Sequence, residues 1–169
     1  PLMVRIDTCV LRVIPLNTTL TYTGELIYPE FVVENSNKVE LSYEIIGGDG
    51  INAGAHTVKL SLVTPNTNYA FSQDTFNYTI EKASLAISVV DTMFYEEGVV
   101  WEGNFADFGA EGIMPIHRIV GSIATKTYKV GYYTRLTDFV YELDILDANN
   151  NSVKNNYLIT YAINVRILS

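Results

Sequence analysis

At 169 residues the chain holds one large domain or two small ones, and its 48% hydrophobic and 18% charged content excludes a disordered protein. Eleven Lys and Arg against 19 Asp and Glu leave a formal net charge of −8, which excludes the clustered basic surface that a nucleic-acid partner requires. A single cysteine, Cys9, excludes an intrachain disulfide framework.

Twelve tyrosines, seven phenylalanines and frequent Val, Ile and Thr predict strands, because β-branched and aromatic side chains suit a pleated, half-buried surface. In chain order the predicted strands of the first half are Val10–Ile14, Phe31–Val33, Val39–Ile46, Thr57–Val63 and Phe76–Ile80. Those of the second half are Leu85–Val90, Ile119–Ala124, Phe139–Leu146 and Tyr157–Ile167. In Thr57–Val63, apolar Val58, Leu60 and Leu62 alternate with Thr57, Lys59 and Ser61, the pattern of a strand buried on one side. Gly47-Gly48-Asp49-Gly50, Thr64-Pro65-Asn66-Thr67-Asn68 and Asn149-Asn150-Asn151-Ser152 read as turns. Ile113–Lys126 has the one pattern compatible with a short helix. No apolar run approaches the roughly 18 residues of a membrane-spanning helix, and no basic-then-apolar leader opens the chain. An internal fragment, with its targeting and anchoring segments elsewhere, is the expectation.

The chain also repeats itself. Tyr22-Thr23-Gly24, Ala53-Gly54-Ala55-His56-Thr57-Val58, Asn68-Tyr69 and Phe76-Asn77-Tyr78-Thr79-Ile80 recur in order as Tyr95-Glu96-Glu97-Gly98, Val130-Gly131-Tyr132-Tyr133, Asn156-Tyr157 and Asn164-Val165-Arg166-Ile167. The leading tyrosines are 73 residues apart, the central glycines 77 and the Asn-Tyr tyrosines 88, so the second copy has longer loops. The expected modules are 1–82 and 83–169, joined with almost no linker, which favours a stiff rod.

These motifs, together with Tyr78-Thr79-Ile80-Glu81-Lys82-Ala83 and Asn155-Asn156-Tyr157-Leu158-Ile159-Thr160-Tyr161, resemble bacterial immunoglobulin-like repeats of the MBG (YDG/YGX) type. The resemblance implies an all-β fold of two tandem immunoglobulin-like β-sandwich modules. A β-grasp-like arrangement with one short helix over Ile113–Lys126 is the alternative for the second. It further implies a non-catalytic structural, spacer or adhesion segment of a bacterial surface or secreted protein, extracellular, whose partners are neighbouring domains of the same chain, glycans or surface proteins. The rival readings are a carbohydrate- or host-glycoprotein-binding module and an accessory domain of a secreted glycosidase.

No catalytic, cofactor or metal residue is assigned. Two histidines, His56 and His117, are too few for a typical zinc site. No Gly-x-Ser-x-Gly elbow is present, and Gly47-Gly48-Asp49-Gly50 lacks the Lys-Ser/Thr of a phosphate cradle. Asp144, Asp147, Asn149 and Asn151 imitate the opening of a calcium loop, but Ser152 replaces its glycine and Leu158 its bidentate glutamate, so a solvated turn is expected. Glu96, Glu97, Glu102, Asp107 and Glu111 read as a charged loop rather than a cation site. Trp101 is expected in the core, and the glycan-binding rival requires Trp101, Tyr132 and Tyr133 exposed in one strip. A Lys–Asn cross-link would fall at Lys59 or Lys129.

Overall fold

The computed structural model describes residues 3–4, 7–34, 42–63 and 68–169, and the chain divides into two compact units, Pro1–Glu81 and Lys82–Ser169. Both are built from strands. The first unit contains β1 (Cys9–Pro15), β2 (Thr19–Thr21), β3 (Phe31–Glu34), β4 (Tyr43–Gly47), β5 (Gly54–Leu62), β6 (Tyr69–Phe71) and β7 (Thr75–Glu81). They form two sheets, ordered β3-β1-β6 and β2-β7-β5-β4. Strict alternation along β7 buries Phe76, Tyr78 and Ile80 while Thr75, Asn77 and Thr79 stay outside, as a sheet with one wet face requires. Leu11, Val13 and Phe31 of one sheet and Val58, Leu60 and Phe76 of the other are all buried, and the Phe31 and Phe76 rings meet between the sheets 5.1 Å apart. Each such side chain contributes about 1.5–3 kcal/mol on burial.

The second unit contains β8 (Ala83–Phe94), β9 (Glu102–Asn104), β10 (Gly109–Glu111), β11 (Arg118–Thr125), β12 (Gly131–Tyr133), β13 (Phe139–Leu146) and β14 (Tyr157–Leu168). Its sheets are ordered β10-β8-β14-β12 and β13-β11-β9. Three aromatics tie the two sheets together. Phe105 lies 6.3 Å from Tyr161 on β14 and 6.4 Å from Tyr141 on β13, and Tyr141 lies 6.1 Å from Tyr161. Leu85, Ile87, Val89, Val165 and Ile167 are buried beside them, opposite Ile123 and Ile145.

The same frame of contacts occurs in each unit. The opening strand runs parallel to the closing one: Cys9–Leu11 beside Tyr69–Phe71 and Thr19–Thr21 beside Thr79–Glu81 in the first, Ala83–Phe94 beside Tyr157–Leu168 in the second. Ile80 sits between Leu20 and Gly54, and Ile167 sits between Met93 and Gly131. The Tyr22 N–H donates to Glu81 O at 2.9 Å, and the Tyr95 N–H donates to Leu168 O at 2.7 Å. Gly24 and Gly98 then turn the chain with φ of 81° and 80°. The units differ in continuity. The second has one uninterrupted parallel ladder, whereas the first breaks its ladder at Leu16–Thr18 and Ser72–Asp74 as the chain passes from one sheet to the other.

Three expectations change. Each unit pairs its opening and closing strands in parallel, where an immunoglobulin-like sandwich implies antiparallel sheets; the sheet β13-β11-β9 is antiparallel, and the rest of each module acts as the long crossover that a parallel pair needs. No α-helix occupies Ile113–Lys126, so the β-grasp-like alternative falls; a turn closed by His117 N–H on Met114 O leads into β11. There Ile119, Ile123 and Thr125 point inward at even-numbered separations, and it is Thr125, two residues after Ile123, that a helix would turn away from the other two. The short strands β2, β6, β9, β10 and β12 were absent from the sequence expectation. The predicted strand Val39–Ile46 and the predicted turn Thr64–Asn68 each lie partly outside the described residues.

Gly121 shows how closely β11 and β13 approach. Its φ is +115°, and a Cβ there would stand 2.0 Å from Glu142 O. Replacing it with alanine is expected to destabilise the second unit by about 2 kcal/mol or more, the strain of a non-glycine residue in that region plus the clash. Gly131→Ala, whose Cβ would find its nearest neighbour in the Tyr133 hydroxyl at 3.5 Å, is expected to cost less than about 1 kcal/mol. Urea unfolding followed by Trp101 fluorescence compares the two.

Candidate functional site

Trp101 is fixed inside the second unit. Its ring packs 5.9 Å from Phe108 and 6.0 Å, edge-on, from Phe139. Its Nε1–H donates to Asp91 Oδ2 at 2.8 Å, and its backbone N–H donates to the buried Thr125 hydroxyl at 3.1 Å. Indole burial needs such a partner for the N–H, and Asp91 at the open end of β8 supplies it. Tyr132 is 71% exposed on β12, under the Arg166 guanidinium at 5.5 Å, while the Tyr133 hydroxyl donates to Lys129 O at 2.5 Å. Trp101, Tyr132 and Tyr133 therefore do not form one exposed strip.

The calcium-like segment is a turn closed on itself. Asp147 Oδ1 accepts the N–H groups of Asn149 and Asn151, each at 2.8 Å, and Oδ2 accepts the Asn151 side-chain amide at 3.2 Å. These donors, the Asn151 N–H foremost, hold the Asp147 carboxyl below the usual carboxylate range. Asp144 Oδ1 accepts the Ser152 hydroxyl at 2.5 Å and the Ile145 N–H at 2.8 Å. Asn150 takes φ 66° and accepts from Arg118. The oxygens face local donors instead of converging on a shared point. Of the other acidic group, Glu96 and Glu97 lie in the turn after β8, Glu102 on β9, Asp107 in a 3-10 turn and Glu111 on β10. Among the described residues no three His, Cys, Asp or Glu are grouped to hold a metal ion.

The histidines are both engaged in packing. His56 Nδ1 lies 3.1 Å from Asp49 Oδ1 and Nε2 2.6 Å from Asn52 O, so the ring clasps the 47–54 turn. The bond from His56 is the leading cause that lowers the Asp49 carboxyl below its ordinary value. This pair borders a shallow cleft of about 700 Å³ lined by Thr18, Thr19, Thr57, Asn77 and Thr79. Both ring nitrogens of His56 are thus occupied by oxygens of its own turn. Lys59 Nζ faces the Asp74 carboxylate at 3.6 Å on an exposed surface, and Cys9 lies half-buried on β1.

Asp91 and Thr125 were not singled out from sequence, and Asp49, Tyr157 and Arg166 entered there only as members of turn and repeat motifs. The contacts of Trp101 with Thr125, of His117 with Tyr157 and of Arg166 with Tyr132 join residues distant in sequence, and no local pattern encodes such meetings. Alternation along β8 puts Asp91 in the row of Leu85, Ile87 and Val89, and that was the available signal.

No model of a known protein family matches the chain, and no curated protein matches it in sequence. Among the described residues no helix is long and apolar enough to cross a membrane.

His117 generates the pH prediction. The Met114 N–H reaches Tyr157 Oη at 3.2 Å, and Tyr157 Oη lies 2.6 Å from His117 Nδ1. In this relay the phenol accepts from Met114 and donates to a neutral imidazole. Desolvation lowers the His117 pKa below 6.5, against the opposing pull of Asp147. The folded state thus binds fewer protons than the unfolded one. Its contribution is full above about pH 6.5 and is lost as pH falls towards the lowered folded value. The urea midpoint of the second unit is expected to drop between pH 7 and 5.5, and His117→Asn should flatten that slope while His56→Asn leaves it unchanged.

Proposed function

We propose that the chain comprises two divergent copies of one MBG-type immunoglobulin-like module and acts as a non-catalytic, load-bearing segment of a bacterial surface or secreted protein. The observation that carries the reading is the recurrence of one frame, opening strand parallel to closing strand, in matching register around Ile80 and Ile167. A shared frame with stretched loops is what divergence from one module leaves behind, since cores constrain pairing more than connections.

The frame also has a mechanical consequence. When the two ends of a unit are pulled apart, neighbouring parallel strands at those ends slide past one another, and the hydrogen bonds between them carry the load together rather than in succession. The second unit offers a ladder of 12-residue strands to this load; the first offers two blocks of three. A stalk or adhesion segment needs that resistance. Extracellular exposure and partners among neighbouring domains or surface glycans belong to the same reading. The glycan-binding rival loses its intended strip through the burial of Trp101.

Single-molecule stretching of the whole chain tests this. Two unfolding steps are expected, the second unit yielding at the higher force. Ala162→Pro, which removes a ladder hydrogen bond from the middle of β14, should lower or abolish only that later step. A single cooperative step, or a later step indifferent to Ala162→Pro, would overturn the proposal.

A further inference from the structure

The outer face of the β10-β8-β14-β12 sheet carries large apolar side chains that the fold leaves uncovered. Phe94 is 73% exposed, Tyr132 71%, Val90 67% and Leu158 60%. Between them Ala86 pairs with Thr160 and Ser88 with Ala162, so the middle of the face is low and flat, with a groove of about 430 Å³ over it. Scattered apolar residues on a surface are ordinary, but four on one sheet face form a patch that marks an interaction surface.

Charge indicates the occupant. Among the described residues in the paired rows of this face, the charged side chains are one anion and one cation. Glu111 lies in the row of Ala86, and Arg166 lies in the row of Thr92. Those rows are six residues apart on β8, roughly 20 Å along the strand. Arg166 is held on the face by stacking at 5.5 Å over the Tyr132 ring. One positive and one negative end make a face complementary to itself. A two-fold axis lying in the contact plane midway between them sets Glu111 of one copy over Arg166 of the other, twice, while the apolar residues close the space between. We propose that this face binds a second copy of the chain.

Two strands of 12 residues, widened by the three-residue strands β10 and β12, present an area on the order of 600 Å². A standard interface buries about 800 Å² per partner, so the pairing is a reversible one that becomes populated at micromolar to millimolar concentration. Such pairing would link neighbouring molecules side by side.

Sedimentation equilibrium of the intact chain up to about 1 mM tests the proposal. The wild type is expected to pass from monomer to dimer. Glu111→Arg and Arg166→Glu, both on exposed strand positions, should each weaken the dimer at least tenfold, and the doubly exchanged variant should recover to within about threefold of wild type. A chain that stays monomeric throughout, a dimer indifferent to either single exchange, or a double variant no better than the singles would overturn it.

Discussion

A parallel pairing between the first and last strands of a module is a long-range contact, closed only after everything between them has been placed. In the second unit it joins Ala83–Phe94 to Tyr157–Leu168 without interruption. Loop-closure entropy opposes such a pairing until the intervening strands have collapsed, and burial must then hold it. Leu85, Ile87 and Val89 alternate inward on one strand, and Ile163, Val165 and Ile167 do so on the other, supplying that burial row by row. The first unit solves the same closure differently. Its opening strand leaves one sheet after Pro15 and joins the other at Thr19, so two short parallel blocks replace one long ladder.

Much of this was legible in the residues. The predicted strands fall within a residue or two of β7, β11, β13 and β14, and the alternation read in Thr57–Val63 matches the buried Val58 and Leu60 of β5, because one buried face fixes which side chains point inward. The landmark order Tyr, Gly, Asn-Tyr, Ile also fell on matching positions of the frame. Gly54 needs its glycine for φ 146°, whereas Gly131 shares the register without a positive φ. Three-residue strands were not legible, since β9 and β12 carry too few side chains to display a period. The short helix weighed over Ile113–Lys126 failed because a Pro-containing turn and a strand with a glycine at its centre give an ambiguous local pattern. Pairing with β13 decided it.

The polar groups lacked any comparable local signal. Asp147, Asp144, His56 and His117 were weighed for chemistry in the sequence and assigned none, and each has hydrogen bonds to the backbone or to a neighbouring side chain. Asp91 shows the same economy: exposed towards the end of β8, it still receives the Trp101 N–H.

The account stands on the opening-to-closing ladder as the last structure to yield. Amide hydrogen exchange, read residue by residue under native conditions, tests this most directly. The β14 amides that donate to β8, at the alternate positions Thr160, Ala162, Asn164 and Arg166, are predicted to exchange only through global unfolding of their unit, at rates no faster than those of the β11–β13 pair. Ladder amides that open locally while β11 and β13 remain protected would contradict it.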